Sequence, residues 1–177
     1  TTIHYNSTGG SDAWDSDRYL NIWVCSISNG VLGWAQFPYA GGMKTDGVVI
    51  NYENFGINLN YSGPYNKGRT TTHEVGHWLN LFHIWGDNSC GNDYVFDTPI
   101  QEQATYGCKS HPSYSCQNNG EMFMNFMDYS DDECMNSFTE GQRNRAWNCL
   151  LNYRNKLFIS NGCDSSNFSL SCDVSID

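Results

Sequence analysis

The stretch HEVGHWLNLFH, from His73 to His83, constrains the fold of this chain more than any other. His73 and His77 lie four residues apart, so on an α-helix both project from one face, with Glu74 directly after the first. His83 follows His77 by six residues and cannot share that face. The three rings meet only if the helix stops and the chain turns sharply between them. Such a turn needs a residue at positive φ, which glycine supplies most cheaply and asparagine tolerates best among the others. Asn80 stands where that residue is needed, and we expect it in the left-handed conformation at a cost of ~1 kcal/mol relative to glycine.

Imidazoles converging in this way suit a zinc ion, which takes histidine nitrogen at about 2.0–2.1 Å. In H-E-x-x-H sites the glutamate is not a ligand but accepts a proton from the water that the metal activates. His73, His77 and His83 are therefore candidate zinc ligands and Glu74 the candidate general base. His4 and His111 stand alone and read as ordinary strand or surface histidines.

The chain before this stretch has β-branched and aromatic segments bounded by Gly, Asn and Asp: TIHYN, YLNIWVCSIS, GWAQFPYA and DGVVINYENFG. These predict a sheet. RTTTHEVGHWLN predicts a helix packed on it, with Thr70 to Thr72 as candidate N-caps and Val75, Trp78 and Leu79 at helical spacing. From Ile84 to about Phe138 the sequence is rich in Asp, Asn, Ser, Gly and Cys with weak periodicity, which predicts an irregular cross-linked lobe. A second helix is predicted from Thr139 as N-cap, with Ala146, Trp147, Leu150, Leu151 and Leu157 at helical spacing and Gly162 as the stop.

The 177 residues, 39% of them hydrophobic, suffice for one core or two small lobes sharing a cleft, so a single domain over 1–177 is expected. A net charge of −10 with scattered Lys and Arg would repel a phosphate backbone and argues against nucleic acid as partner. No segment approaches the ~18 apolar residues of a membrane span. TTIHYNSTGG lacks the basic and apolar regions of a signal peptide, so the chain reads as a processed mature form. Eight cysteines without a C-x-x-C pair point to disulfides and an oxidising, extracellular setting rather than a thiolate metal site, against the alternative of buried reduced thiols in a cytosolic protein. Asn6, Asn60 and Asn167 each stand in an N-x-[ST] context.

With these residues in view, the chain resembles a known group. HEVGHWLNLFH matches the metzincin pattern H-E-x-x-H-x-x-G-x-x-H except at Asn80, and NFMDYSDDEC, 125–134, resembles the Met-turn of the pappalysin (cytophagalysin) branch. Similarity continues through YLNIWV, GWAQFP, DGVVINY, DTP and FTEGQ. The resemblance implies an α+β metzincin-like catalytic domain: a twisted mixed sheet with the active-site helix above in an upper part, 1–83, and a disulfide-linked lower part, 84–177, with the Met-turn and a C-terminal helix. It implies a secreted, monomeric zinc metalloendopeptidase in which zinc-activated water attacks the peptide bond and Glu74 serves as general base. Met127 would floor the metal site and Tyr129 would steady the tetrahedral intermediate. Backbone groups of Gly33, Trp34 and Ala35 would pair with an extended protein or peptide substrate.

The resemblance further implies Cys90–Cys116 and Cys108–Cys134 disulfides, while Cys25, Cys149, Cys163 and Cys172 allow three pairings. It adds a candidate calcium site from Asp87, Asp93, Asp97 and the carbonyl of Thr98, alongside the reading of that loop as a solvated turn. Two features depart from the group. Relatives that favour a basic residue after the scissile bond use an acidic group near the helix after the Met-turn, whereas GQRNRAWNC, 141–149, offers Arg143 and Arg145 but no carboxylate. The 72 residues before His73 also leave no room for the usual first strand and helix, which suggests a trimmed fragment, a reduced upper lobe or a partner segment, with a pro-segment as a further expectation. The alternatives are a zinc-containing binding module whose catalytic machinery is idle and a metal-free disulfide-rich structural domain.

Overall fold

The computed structural model describes residues 2–162. Cys163, Asn167 and Cys172 lie outside the described residues. The central element is β3 (Gly47–Asn51), a run of apolar and β-branched residues buried along its whole length. β1 (Asn21–Cys25) pairs with it in parallel and β2 (Gly33–Ala35) antiparallel, giving a mixed sheet ordered β1-β3-β2. Val48 and Ile50 of β3 pack with Trp78, Val75 and Leu79 of the following helix, so one face of the sheet is closed by α1 (Arg69–Trp78). The architecture is α+β, as the resemblance implies. The predicted first strand is absent: Thr2–His4 and Asn6–Thr8 form 3-10 turns. Hydrogen bonds from Gly10 N–H to the Tyr5 carbonyl and from Ser11 N–H to the Ile3 carbonyl curl this segment onto itself. His4 is buried, its ring edge-on to Trp23 at 4.6 Å, so it is neither a strand nor a surface histidine.

The α1 start also differs from expectation. Thr70 to Thr72 lie inside the helix, and Gly68 is the N-cap residue without a side-chain cap. The chain entering the helix is held from elsewhere: Asp132 Oδ2 accepts from Lys67 N–H at 2.7 Å and from the first helical amide, Arg69 N–H, at 3.2 Å. A carboxylate at that end also meets the favourable end of the helix dipole.

Between the helices the chain is irregular and held by Cys90–Cys116 and Cys108–Cys134, each closing 26 residues. Cys25 and Cys149 carry no disulfide among the described residues. α2 (Glu140–Tyr153) begins at Thr139, the N-cap that the sequence predicts, and Gln142 completes a capping box with it. Its Trp147 and Leu151 are exposed, and the helix ends before Leu157, which falls in a 3-10 turn over Asn155–Ile159. The break comes at Arg154, whose side chain turns back beneath α1. Its Nε donates to the Trp78 carbonyl at 3.1 Å, its guanidinium covers the Trp78 ring at 3.7 Å, and NH1 meets Asp46 Oδ2 at 2.6 Å. Asp46 Oδ1 in turn accepts from Trp78 Nε1 at 3.2 Å. Arg154 and Asp46 are both nearly excluded from water, so the pair joins the end of α2, the entry to β3 and the end of α1. Asp46→Ala leaves the guanidinium buried and unpaired, and chemical denaturation should register a loss of about 3–5 kcal/mol; a loss below ~1 kcal/mol would contradict this role.

Candidate active site

α1 ends where the sequence requires. Asn80 has φ 70°, with Asn80 N–H bonded to the His77 carbonyl and Leu81 N–H to the Gly76 carbonyl, both at 2.9 Å. This is the Schellman arrangement with asparagine in the position glycine usually holds. Arg145 of α2 donates from Nε to the Asn80 carbonyl at 2.6 Å and so fixes the turn from outside.

The turn brings the three imidazoles together. The Nε2 atoms of His73, His77 and His83 lie 3.0–3.2 Å from one another. Each ring is held by its other nitrogen: Nδ1–H of His73 donates to the Phe126 carbonyl at 2.7 Å, that of His77 to the Leu81 carbonyl at 2.8 Å, and that of His83 to Asp87 Oδ1 at 2.6 Å. With Nδ1 carrying the proton, three Nε2 lone pairs face a common point. Burial keeps the rings neutral, holding His83 down to about 3 and His73 well below the usual imidazole range. Three unprotonated acceptors at this spacing repel unless a cation sits between them, and tetrahedral Zn–N bonds of about 2.0–2.1 Å set ligand nitrogens at about 3.3 Å. The residues fit a zinc ion, and among the described residues no other His, Cys, Asp or Glu cluster gathers in this way.

Glu74 is buried beside the triad, and burial alone pushes its carboxyl up to about 8. A dication at the histidines opposes that shift. The space for its side chain is set by Gly33 of β2, where a Cβ would lie 3.1 Å from Glu74 Cγ and 2.8 Å from the Val49 carbonyl oxygen. On the other side of α1, a Cβ on Gly76 would come 2.5 Å from Met127 Sδ. Met127 is fully buried with Leu81, Ile84 and Trp85 and lies against the helix between two of the histidines. Its turn is locked by Asn125, whose side chain accepts from Met127 N–H at 2.9 Å and exchanges two bonds with the buried amide of Gln142, at 2.8 and 3.0 Å. Tyr129 lies with its ring 5.0 Å from that of His83 and 5.6 Å from that of His73, and burial raises its phenol to about 12, so it remains a proton donor.

The four residues read as candidate calcium ligands are not gathered by the fold. Asp87 serves His83. Asp97 accepts from Thr139 Oγ1 at 2.7 Å and Gly141 N–H at 2.8 Å, at the start of α2. Asp93 and Thr98 do meet, at 2.7 Å through Oδ1 and Oγ1. The sequence reading missed Trp85, which stacks flat on His83 at 4.2 Å. It also missed Tyr65, which donates to the Tyr129 carbonyl at 3.1 Å, and Gly76, and it read Gly33 only as a backbone partner of substrate and not as room for Glu74. Only the glycines left a signal, as residues without side chains beside catalytic positions.

A cavity of about 350 Å3 opens along His73 and Glu74, with Tyr129, Asp132 and the Gly30–Gly33 segment on its walls. In the antiparallel ladder Gln36 N–H bonds to the Gly47 carbonyl and Asn51 N–H to the Leu32 carbonyl. Alternation then commits the Trp34 backbone to Val49 and leaves the N–H and C=O of Gly33 and Ala35 on the free edge of β2.

A buried histidine triad, an adjacent carboxyl and a cleft bounded by an open strand edge define a metallopeptidase domain of the H-E-x-x-H kind. The model of the M43 peptidases, described as pregnancy-associated plasma protein-A, matches residues 4–151, and the chain belongs to this family. An extracellular metalloprotease of Arthroderma benhamiae is 43% identical over 134 residues, covering 71% of this chain and 48% of that protein. One of Verticillium alfalfae is 39% identical over 145 residues, covering 77% and 51%. The chain thus spans about half the length of these relatives. Mature mirolysin of Tannerella forsythia, solved with a cleaved peptide, superposes with a TM-score of 0.84 at 46% identity over 88% of this chain and 62% of that one. Because Asp87 fixes the tautomer and aim of His83, Asp87→Ala should weaken zinc binding about 10–100-fold in a chelator competition; unchanged affinity would separate Asp87 from the site.

Proposed function

We propose that this chain is the catalytic unit of a secreted zinc-dependent metalloendopeptidase. The observation that carries the reading is the convergence of three bare Nε2 atoms beside a buried Glu74, under the free edge of β2. His73, His77 and His83 would hold a zinc ion, which when bound would supply Lewis acidity toward a water and the scissile carbonyl. Glu74 takes the proton of that water and passes it to the leaving amine. Tyr129 donates to the oxygen on which charge develops, and Met127 floors the site. Gly33 and Ala35 pair with an extended substrate, whose chain crosses the zinc helix antiparallel to β2. Secretion accords with relatives named extracellular and with eight cysteines. Nothing in the geometry or the relatives favours an idle module.

The reading treats 1–83 and 84–177 as two parts of one domain, supported by Asp132 capping α1 and by the Phe126 carbonyl holding His73. It includes a pro-segment, since a pro-form of mirolysin is among the similar structures, and action as a monomer. For calcium, the supporting atom is Asp93 Oδ2, buried without a hydrogen-bond partner beside Thr98. Specificity follows from the cavity. No carboxylate comes from 141–149, but Asp132 Oδ1, buried and unpartnered, belongs to a cavity-wall residue. A lysine or arginine side chain after the scissile bond would meet it.

Cleavage of a mixed peptide library, read by mass spectrometry, should disappear on chelation and fall at least about 100-fold in Glu74→Ala. Asp132→Asn, which keeps the shape of the cap, should erase the preference for Lys or Arg after the cleaved bond. Cleavage that survives chelation would end the proposal.

A further inference from the structure

Beyond the histidines, on the side away from the cavity, the surface changes character. Phe37, two residues past β2, lies with its ring 5.3 Å from that of His77. Phe37 stacks on Phe82 at 5.4 Å and on Tyr39 at 5.8 Å, and Phe82 meets Tyr94 edge-on at 6.0 Å. None of the four lines the cavity beside Glu74. Tyr39 and Tyr94 are 62% and 74% exposed, and Phe37 and Phe82 are half-buried. Three separate stretches of chain, at 37–39, 82 and 94, therefore build one aromatic strip that starts at the His77 ring and is left open.

The strip is also braced. Phe82 sits in the loop that leaves the Asn80 turn, and the Arg145 guanidinium lies over its ring at 4.7 Å. The same arginine holds the Asn80 carbonyl at 2.6 Å. A ring fixed by a cation on one side and by Phe37 on the other is a rigid apolar contact surface, and a partner loses little side-chain freedom of the protein's own in binding it.

Strand direction says what lies on it. Residues 30–33 enter β2 along the cavity, and Phe37 leaves it beside His77. A substrate running antiparallel to β2 places its carboxyl side over the cavity and its amino side over Phe37 and Phe82. We infer that Phe37 and Phe82, flanked by Tyr39 and Tyr94, form a specificity site for apolar or aromatic side chains in the first three substrate positions before the scissile bond. This rests on the peptidase reading and extends it: one side of the cut bond is selected by charge, the other by an aromatic surface continuous with the edge that pairs the backbone. A strand rises roughly 3.3 Å per residue, so a ring 5.3 Å from that of His77 falls beside the first two of those positions.

The test uses acetylated nonapeptides with arginine after the scissile bond and either phenylalanine or alanine at each of the three positions before it. The wild-type zinc-loaded chain should prefer phenylalanine at one or more positions by about 10–100-fold in kcat/KM. Phe82→Ala should reduce that ratio below about 3-fold, while its ratio for arginine over alanine after the bond stays as in the wild type. Phe82→Leu, which keeps apolar bulk, should retain most of the discrimination and so separates a lost contact from a misfolded loop. A wild type that discriminates less than about 3-fold at all three positions, or a Phe82→Ala variant that discriminates as before, overturns the inference while leaving the peptidase intact. If no variant cuts any peptide, the peptidase reading is what fails. Equilibrium binding of the same peptides to the zinc-loaded chain then decides the strip: tighter binding of the phenylalanine series, lost in Phe82→Ala, supports it, and equal binding of both series overturns it.

Discussion

Three imidazoles present three bare nitrogens to one point only if each ring is denied the freedom to turn, and most of this structure is organised around that restraint. The Nδ1 partners come from different places: the carbonyl of Phe126 in the Met-turn, that of Leu81 just past α1, and the Asp87 carboxylate beyond the third histidine. Two of these partners are themselves held. Phe126 N–H bonds to the Ser137 carbonyl at 3.0 Å, next to the Asn125–Gln142 amide pair, and Leu81 belongs to the turn that Arg145 clamps. The site is therefore a consequence of α2 as much as of α1, although α2 contributes no ligand.

That dependence explains what could be read in the sequence and what could not. The facing histidines and the left-handed Asn80 were legible because their geometry is local: helical period and one φ angle decide them. Thr139 as the N-cap of α2 was legible for the same reason. The failures are tertiary. Thr70 to Thr72 look like caps because threonine caps helices, but Asp132 arrives from more than sixty residues away, and its carboxylate makes a local cap redundant. Leu157 fits a helical period that Arg154 interrupts, and nothing in the spacing says that this arginine will reach under Trp78. Asp87 and Asp97 have the composition of a hard-cation loop, yet one orients a ring and the other starts a helix. A carboxylate's role is set by what faces it, which composition does not record.

The two glycines at the site show a similar division between sequence and space. Gly76 sits inside a helix, where glycine costs about 1 kcal/mol relative to alanine, and Gly33 sits in a strand, where it gives up side-chain packing. Neither is a favourable local choice. Each is accounted for by what approaches it: Met127 Sδ at the first, the Glu74 side chain at the second. Local cost accepted at two positions, one against Glu74 and the other against Met127, marks places where side-chain placement around the histidines outweighs local stability.

Charge supplies the last step. The chain carries a net charge of −10, which steers cationic peptides toward it at low ionic strength but does not choose which bond is cut. Choice requires contacts within a few ångströms of the triad, and there the two directions along β2 differ. Toward Gly30 the cleft holds the carboxylate of Asp132, buried to 2% exposure and stabilised by helix amides. Toward Phe37 the surface is four rings, with the Arg145 guanidinium over that of Phe82. On the proposed reading, a peptide laid backwards across the edge would put its basic side chain against those rings and an apolar one against the partnerless Oδ1 of Asp132. An apolar side chain would leave that buried oxygen without a partner, and a second cation at the rings would meet the Arg145 guanidinium over Phe82. On the proposed reading the asymmetry would select substrate direction as well as sequence, with the strand register keeping the scissile carbonyl over the histidines.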